Sequence, residues 1–338
     1  MNRRRHPIYE LMARVVIMQE PISAAIAAIA ELVDISSESV RLIIGICGMI
    51  LLAVSFREAG KPRGSQIAAP GWVLLGLFVY LQSSYYIKIG DPVLVLMTAA
   101  ALPGGIILAV WELRNQTENH SLIWFRGMVA WSVIPYHIVY LIPYLNIAFV
   151  LFTAHSAEWM LEFAGLGSYS VGEMFVSLEG GGEVPLADWE GNMWLLTQPL
   201  GESGFFVPMY HSDGEVANIS FILSCSGLQS MIIFVGAICA LRSVPWNRRL
   251  RGLIIAVPTI HVLNTFRNAG IVWLTDAYPN WTISGIGMFD FAHSYAAKAA
   301  SLFAMFLMAI ALFDLLPELH KHIVKLLPIN LEKESESA

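Results

Sequence analysis

Residues 219–241 read ISFILSCSGLQSMIIFVGAICAL. About 20 mostly apolar residues suffice for an α-helix to cross a bilayer, and this run has that length and composition. It is therefore expected to span. Yet it carries Cys225, several serines and Gln229 where a lipid-facing helix would carry leucine. Polar groups in a spanning segment are costly and mark function by default, so Cys225 is read as a candidate nucleophile. Groups that serve it should then lie in other segments of the chain.

The surroundings suit a membrane setting. Of 338 residues, 56% are apolar and 14% charged, and the mean hydropathy is +0.61. Soluble chains carry roughly a quarter charged residues. The reading is an all-α, polytopic integral membrane bundle of about eight transmembrane helices. It forms a single membrane domain over 1–338, with an exterior acidic loop or cap inserted at 166–218 and a catalytic three-helix segment at 219–315. Three cysteines, Cys47, Cys225 and Cys239, are too few for a disulfide framework. Cys225 and Cys239 would stand about 21 Å apart on one helix and cannot pair.

Upstream of the opening run, a span or an interfacial helix is expected at 15–33 and spans at 41–56, 71–87, 92–112 and 122–143, with a turn at Gly90-Asp91-Pro92. The basic start Arg3-Arg4-Arg5 precedes an apolar run that lacks a convincing small-residue cleavage site, so it is read as retained. Residues 146–165 place His155, Glu158 and Glu162 on one helical face, as in an amphipathic helix lying on a surface. From 166 to 218 the chain is Gly-rich and acidic, without Lys or Arg, and its alternating segments suggest a short hairpin cap. Downstream, a basic turn at 242–251 separates the opening run from spans at 252–275 and 285–315. Lys and Arg concentrate at 1–14, 57–63, 114–126, 242–251 and beyond 316. By the positive-inside rule both termini face the cytoplasm and the acidic loop faces out.

With that orientation three helices bring polar groups to one level. Cys225 lies about 9 Å below Ile219, Arg267 about 10 Å below Leu274 and His293 about 10 Å below Ile286. A thiol is mostly protonated at neutral pH and reacts as the thiolate, so a neighbouring cation and a proton carrier are the groups it needs. Arg267 stays charged and suits stabilisation of a thiolate or oxyanion. His293 suits general acid and base work. Gln229, Asn264, Asn268, Asp290 and Lys298 are read as supporting groups. No metal is expected, since no His-Glu-x-x-His or Cys-x-x-Cys pair occurs, and no cofactor is called for. The basic clusters flank membrane segments and do not suit nucleic acid. A secondary transporter with Arg267, His293, Lys298 and Asp290 along a pathway is the competing reading, though no inverted repeat supports it.

The segments Ser224-Cys-Ser-Gly-Leu-Gln-Ser-Met231, Asn264-Thr-Phe-Arg-Asn268 and Phe289-Asp-Phe-Ala-His293 together resemble the exosortase/archaeosortase family. The likeness covers residues 219–300 in order and spacing, and the upstream helices more loosely. It implies a membrane cysteine transpeptidase. The implied partners are secreted or cell-surface precursor proteins ending in a Pro-Gly-Phe type motif, a transmembrane helix and a basic tail. Cleavage near the motif would leave a thioester on Cys225, and an amine-bearing membrane lipid would accept the new C-terminus. The resemblance makes Cys225 the nucleophile and Arg267 the second essential group. The family's third position, His or Arg, falls on His293, with Lys298 as the alternative.

Overall fold

A computed structural model describes residues 7–88, 92–114, 119–283 and 285–326. The basic start Arg3 to Arg5, the turn at Gly90 and Asp91, and the tail beyond 326 lie outside the described residues. The chain divides into two compact units, 1–130 with 325–338, and 131–324.

The first unit is helical: α1 (Pro7–Val33), α2 (Ser37–Arg57), α3 (Pro62–Leu81), α4 (Ser83–Lys88), α5 (Pro92–Ala99), α6 (Ala101–Arg114) and the start of α7 (His120–Leu141). Ser36 opens α2 by accepting a hydrogen bond from the Ser39 backbone N–H. Small residues bring α2, α3 and α6 together, as membrane helices require when lipid offers no hydrophobic drive. A Cβ on Gly48 would come within 2.7 Å of the Leu75 nitrogen, and one on Gly105 within 2.5 Å of the Trp72 oxygen.

Inside this packing lies a charged network. Arg126 Nε donates to Glu112 Oε1 at 2.6 Å, and Nη2 pairs with Glu112 Oε2 and donates to Ser65 Oγ at 2.9 Å. Trp72 Nε1 donates to Glu112 Oε1 at 3.3 Å, and Arg126 Nη1 reaches the Ser55 carbonyl. Both charges are buried. Arg126, counted above with the basic loop 114–126, is an interior residue of α7 and not a loop charge.

The second unit contains the rest of α7, then α8 (Pro143–Phe163), a five-stranded antiparallel sheet and the late helices. The strands are β1 (Tyr169–Val171), β2 (Phe175–Leu178), β3 (Glu183–Pro185), β4 (Leu200–His211) and β5 (Val216–Ile222). Strand β4 organises the sheet, with β1 and β2 antiparallel to it in the order β1-β4-β2-β3, and β5 also paired to it. The 166–218 segment is thus a sheet, larger than the expected hairpin. Val176, Phe205, Val207, Met209 and Phe221 pack on Val150, Ala154, Ala157 and Leu161 of α8. Helix α8 does not divide into the polar and apolar faces expected of it: the side turned from the sheet exposes Phe152, Trp159 and Phe163 as well as His155, which is ion-paired to Glu158.

The opening run departs from its expected form. Ile219 and Phe221 are buried and Ser220 exposed, an alternation of period two, so residues to Ile222 complete β5. A 3-10 turn, Leu223–Ser226, follows, and α9 (Leu228–Cys239) has only 12 residues. That gives about 18 Å of helix against about 30 Å of hydrocarbon. The expected single span at 219–241 is therefore a strand, a turn and a short helix. Uniform apolarity hid the change from a two-residue to a 3.6-residue period.

Helix α10 (Trp246–Ala277) has 32 residues. A short hairpin, β6 (Thr282–Ile283) and β7 (Ile286–Gly287), leads to α11 (Met288–Asp290), one π-helical turn (Phe291–Ala296), α12 (Ala297–Leu315) and α13 (Pro317–Leu326). Five helical segments among the described residues are long and apolar enough to cross a membrane: Ser37–Arg57, Pro62–Lys88, Leu94–Arg114, His120–Leu141 and Met288–Leu315. The expected spans at 15–33 and 252–275 are helical, within α1 and α10, but are not among these five.

Candidate active site

Cys225 occupies the 3-10 turn where β5 gives way to α9, so it is held by loop geometry and not by a helix. Two features define the turn. Gly227 has φ +70°, a left-handed conformation that favours glycine, and a Cβ there would lie 2.8 Å from Asn264 Cγ. Ser226 Oγ donates to the Leu223 carbonyl at 2.7 Å and accepts from the Leu228 N–H at 3.1 Å, which caps the first turn of α9. The half-buried Cys225 side chain packs at the edge of the core beneath the sheet. Ser224 and the Ile222 backbone lie close enough to act on the thiol electrostatically.

Helix α10 holds the turn from the other side. Asn264 and Asn268, one helical turn apart, both donate Nδ2 to the Cys225 carbonyl, at 2.8 and 2.9 Å. Both are buried. Arg267, between them in sequence, is half-buried, donates Nη1 to Asn268 Oδ1 at 3.2 Å and lies within electrostatic reach of Cys225. One five-residue stretch of α10 thus supplies both the backbone clamp and the cation.

His293 lies in the π-helical turn, a feature frequent at functional sites. Its ring stacks on Phe289 at 5.4 Å between centroids and feels the charges of Arg267, Lys298 and Asp290. Among the described residues no hydrogen bond joins His293 to Cys225 or to Asp290. Asp290 and Lys298 are exposed and act on the imidazole through charge. Gln229 bonds elsewhere. With Cys225 outside α9 the two do not share a helical face, and Gln229 Nε2 donates instead to Tyr136 Oη at 3.3 Å. Of the supporting groups, Asn264 and Asn268 converge on the thiol turn and Gln229 does not.

Next to this turn a cavity of about 310 Å³ runs between α10 and α12. Gly227, Asn264 and Arg267 line its polar side, and Ile260, Phe266 and Met305 are among its apolar walls. The site therefore opens onto apolar surface beside its cation. Ser224 and the cavity were not singled out from sequence. Ser224 adjoins the cysteine in the motif, whereas the cavity depends on how α10 meets α12.

Residues 37–313 match the model of the transmembrane exosortase family. Over 73 residues, 21% of this chain, the sequence is 41% identical to archaeosortase A of Haloferax volcanii, of which the match covers 24%. The aligned stretch thus spans about a quarter of that relative. No solved structure matches the chain. Most of the length fits one family model, and the structure supplies the multi-pass helices that such a membrane protein requires; the chain belongs to the transmembrane exosortase family.

Proposed function

We propose that this protein is an intramembrane cysteine transpeptidase, with Cys225 as nucleophile, Arg267 as the cation that stabilises the thiolate and the developing oxyanion, and His293 as the proton carrier. The observation that carries this reading is the meeting of the Cys225 turn with α10, which ties the cysteine backbone and the Arg267 guanidinium to one helical face. Catalysis of acyl transfer depends most on such fixed charge placed where negative charge develops.

In the first step the Cys225 thiolate attacks the scissile carbonyl carbon. The tetrahedral oxyanion faces the guanidinium, and its collapse breaks the C–N bond and leaves a thioester. The departing amine takes a proton from His293. In the second step an acceptor amine attacks the thioester and loses its proton to His293, and the thiolate departs. His293 is not hydrogen-bonded to Cys225, which suits proton exchange with the substrate amine; contacts in a ligand-free site also tighten when substrate enters.

The substrates are proposed to be secreted or cell-surface precursors whose C-terminal motif is followed by a transmembrane helix and a basic tail, and the acceptor an amine-bearing membrane lipid. A substrate that arrives laterally needs an apolar approach, and the cavity between α10 and α12 offers one beside Arg267. A site screened from water also favours aminolysis over hydrolysis. The proposed orientation has both termini in the cytoplasm and the sheet outside, so that the thiol turn lies toward the exterior face. The test follows precursor size and membrane release in cells carrying Cys225→Ala. The expected result is uncleaved, membrane-held precursor; normal processing would rule out the thioester route.

A further inference from the structure

The two asparagines that hold the Cys225 carbonyl are not equivalent. Asn264 donates Nδ2 to that carbonyl at 2.8 Å. Asn268 makes the same bond at 2.9 Å and, at the other end of its amide, accepts from Arg267 Nη1 at 3.2 Å. The polarity of these partners fixes the direction of the amide. A carbonyl cannot donate and a guanidinium cannot accept, so only one orientation of Asn268 satisfies both. The side chain is buried, and a buried amide with an unmade bond at either end is penalised.

We propose that Asn268 is a positioning residue that sets the spacing between the Cys225 thiol and the Arg267 guanidinium, whereas Asn264 secures the turn alone. The proposal rests on the reading of Cys225 as nucleophile and Arg267 as its cation. Its physical basis is the mobility of arginine. A guanidinium at the end of a long side chain loses influence on the thiol as its distance grows, and the only hydrogen bond recorded for Arg267 among the described residues is to Asn268 Oδ1. The same amide anchors the nucleophile's backbone. One side chain therefore determines the distance between the two reacting partners, through bonds at its two ends.

Aspartate tests this at nearly constant volume. Asn268→Asp keeps an acceptor for Arg267, turns a second oxygen on the Cys225 carbonyl and offers the guanidinium a competing anion. Asn264→Asp places the same charge against the same carbonyl from a residue that does not bond Arg267. The measurement is the alkylation rate of Cys225 by iodoacetamide in the purified full-length chain. Peptide mass spectrometry reads it, with Cys47 and Cys239 as internal references and a melting curve confirming that each variant folds. Asn268→Asp is expected to slow Cys225 about tenfold more than Asn264→Asp does. Adding Arg267→Ala to Asn268→Asp should cost nothing further, because the two act through one interaction. Equal slowing by the two Asp variants, or multiplied losses in the double variant, would overturn the role given to Asn268. If Arg267→Ala alone leaves Cys225 as reactive as in the wild type, the activation of the thiol by Arg267 fails instead, and with it the reading on which this inference rests.

Discussion

Gly227 is the residue on which the shape of the site turns. Its φ of +70° and the 2.8 Å approach of Asn264 Cγ to a notional Cβ leave little room for another side chain. Gly227→Ala forces a left-handed conformation worth about 1–2 kcal/mol and displaces the Asn264 amide from the Cys225 carbonyl. Processing should fall sharply. Gly270→Ala, on α10 where a Cβ meets nothing within 4 Å, should leave processing intact. Comparable losses in the two variants would contradict the account of the turn. The residues themselves were legible in the sequence: Cys225, Arg267, His293, Asn264 and Asn268 stand out as polar groups in apolar surroundings. Their bonding was not legible. That both asparagines meet a backbone carbonyl, and that Gln229 turns to Tyr136, depends on where α9 begins, and four residues of strand inside an apolar run concealed that point.

Two connections between elements make separate predictions. The first is the buried pair of Glu112 in α6 and Arg126 in α7. Removing one partner from a buried pair costs about 3–5 kcal/mol, whereas replacing both by apolar residues is often neutral. Glu112→Gln should therefore reduce the amount of folded protein in detergent, and Glu112→Leu with Arg126→Met should restore much of it, as read by size-exclusion chromatography. Failure of the double variant to recover would mean that the charges do more than fill the packing. The second connection joins sheet and helix. Tyr169 Oη of β1 donates to Asp276 Oδ2 of α10 at 2.7 Å, and His211 Nε2 of β4 lies 3.3 Å from Asp276 Oδ1. Burial, and then the Asp276 carboxylate, raise the Tyr169 phenol well above its usual range. The proton it donates is thus present in both folded and unfolded chains below about pH 10, and this contribution to stability is lost only as pH rises beyond that. Tyr169→Phe should make the sheet more sensitive to limited proteolysis at neutral pH, the loss of one hydrogen bond worth about 0.5–1.5 kcal/mol. The wild type should show similar sensitivity only in strong base. A proteolysis pattern unchanged in Tyr169→Phe would remove this contact from the account. Alternation in the sequence indicated strands here, but not the long-range pairings around β4.

At the scale of the whole molecule, apolar length was the most readable feature, and it located each of the five segments able to cross a membrane. It was least informative where apolar residues face protein, as in α8 and β5, because burial in a core and burial in lipid select the same side chains. The proposed topology is open to direct test. Ser212→Cys in the turn between β4 and β5 and Lys321→Cys in α13, each with Cys47, Cys225 and Cys239 changed to Ser, should label from opposite sides of the membrane, the first without permeabilisation. Labelling of Ser212→Cys only after permeabilisation would invert the orientation. The central claim is a covalent intermediate on one sulfur. A purified precursor incubated with the enzyme and quenched in acid should yield a band at the summed mass of enzyme and substrate fragment, released by neutral hydroxylamine, mapped by mass spectrometry to Cys225 and absent in Cys225→Ala. Cleavage of the precursor without any hydroxylamine-sensitive adduct on Cys225, or cleavage that persists in Cys225→Ala, would contradict it.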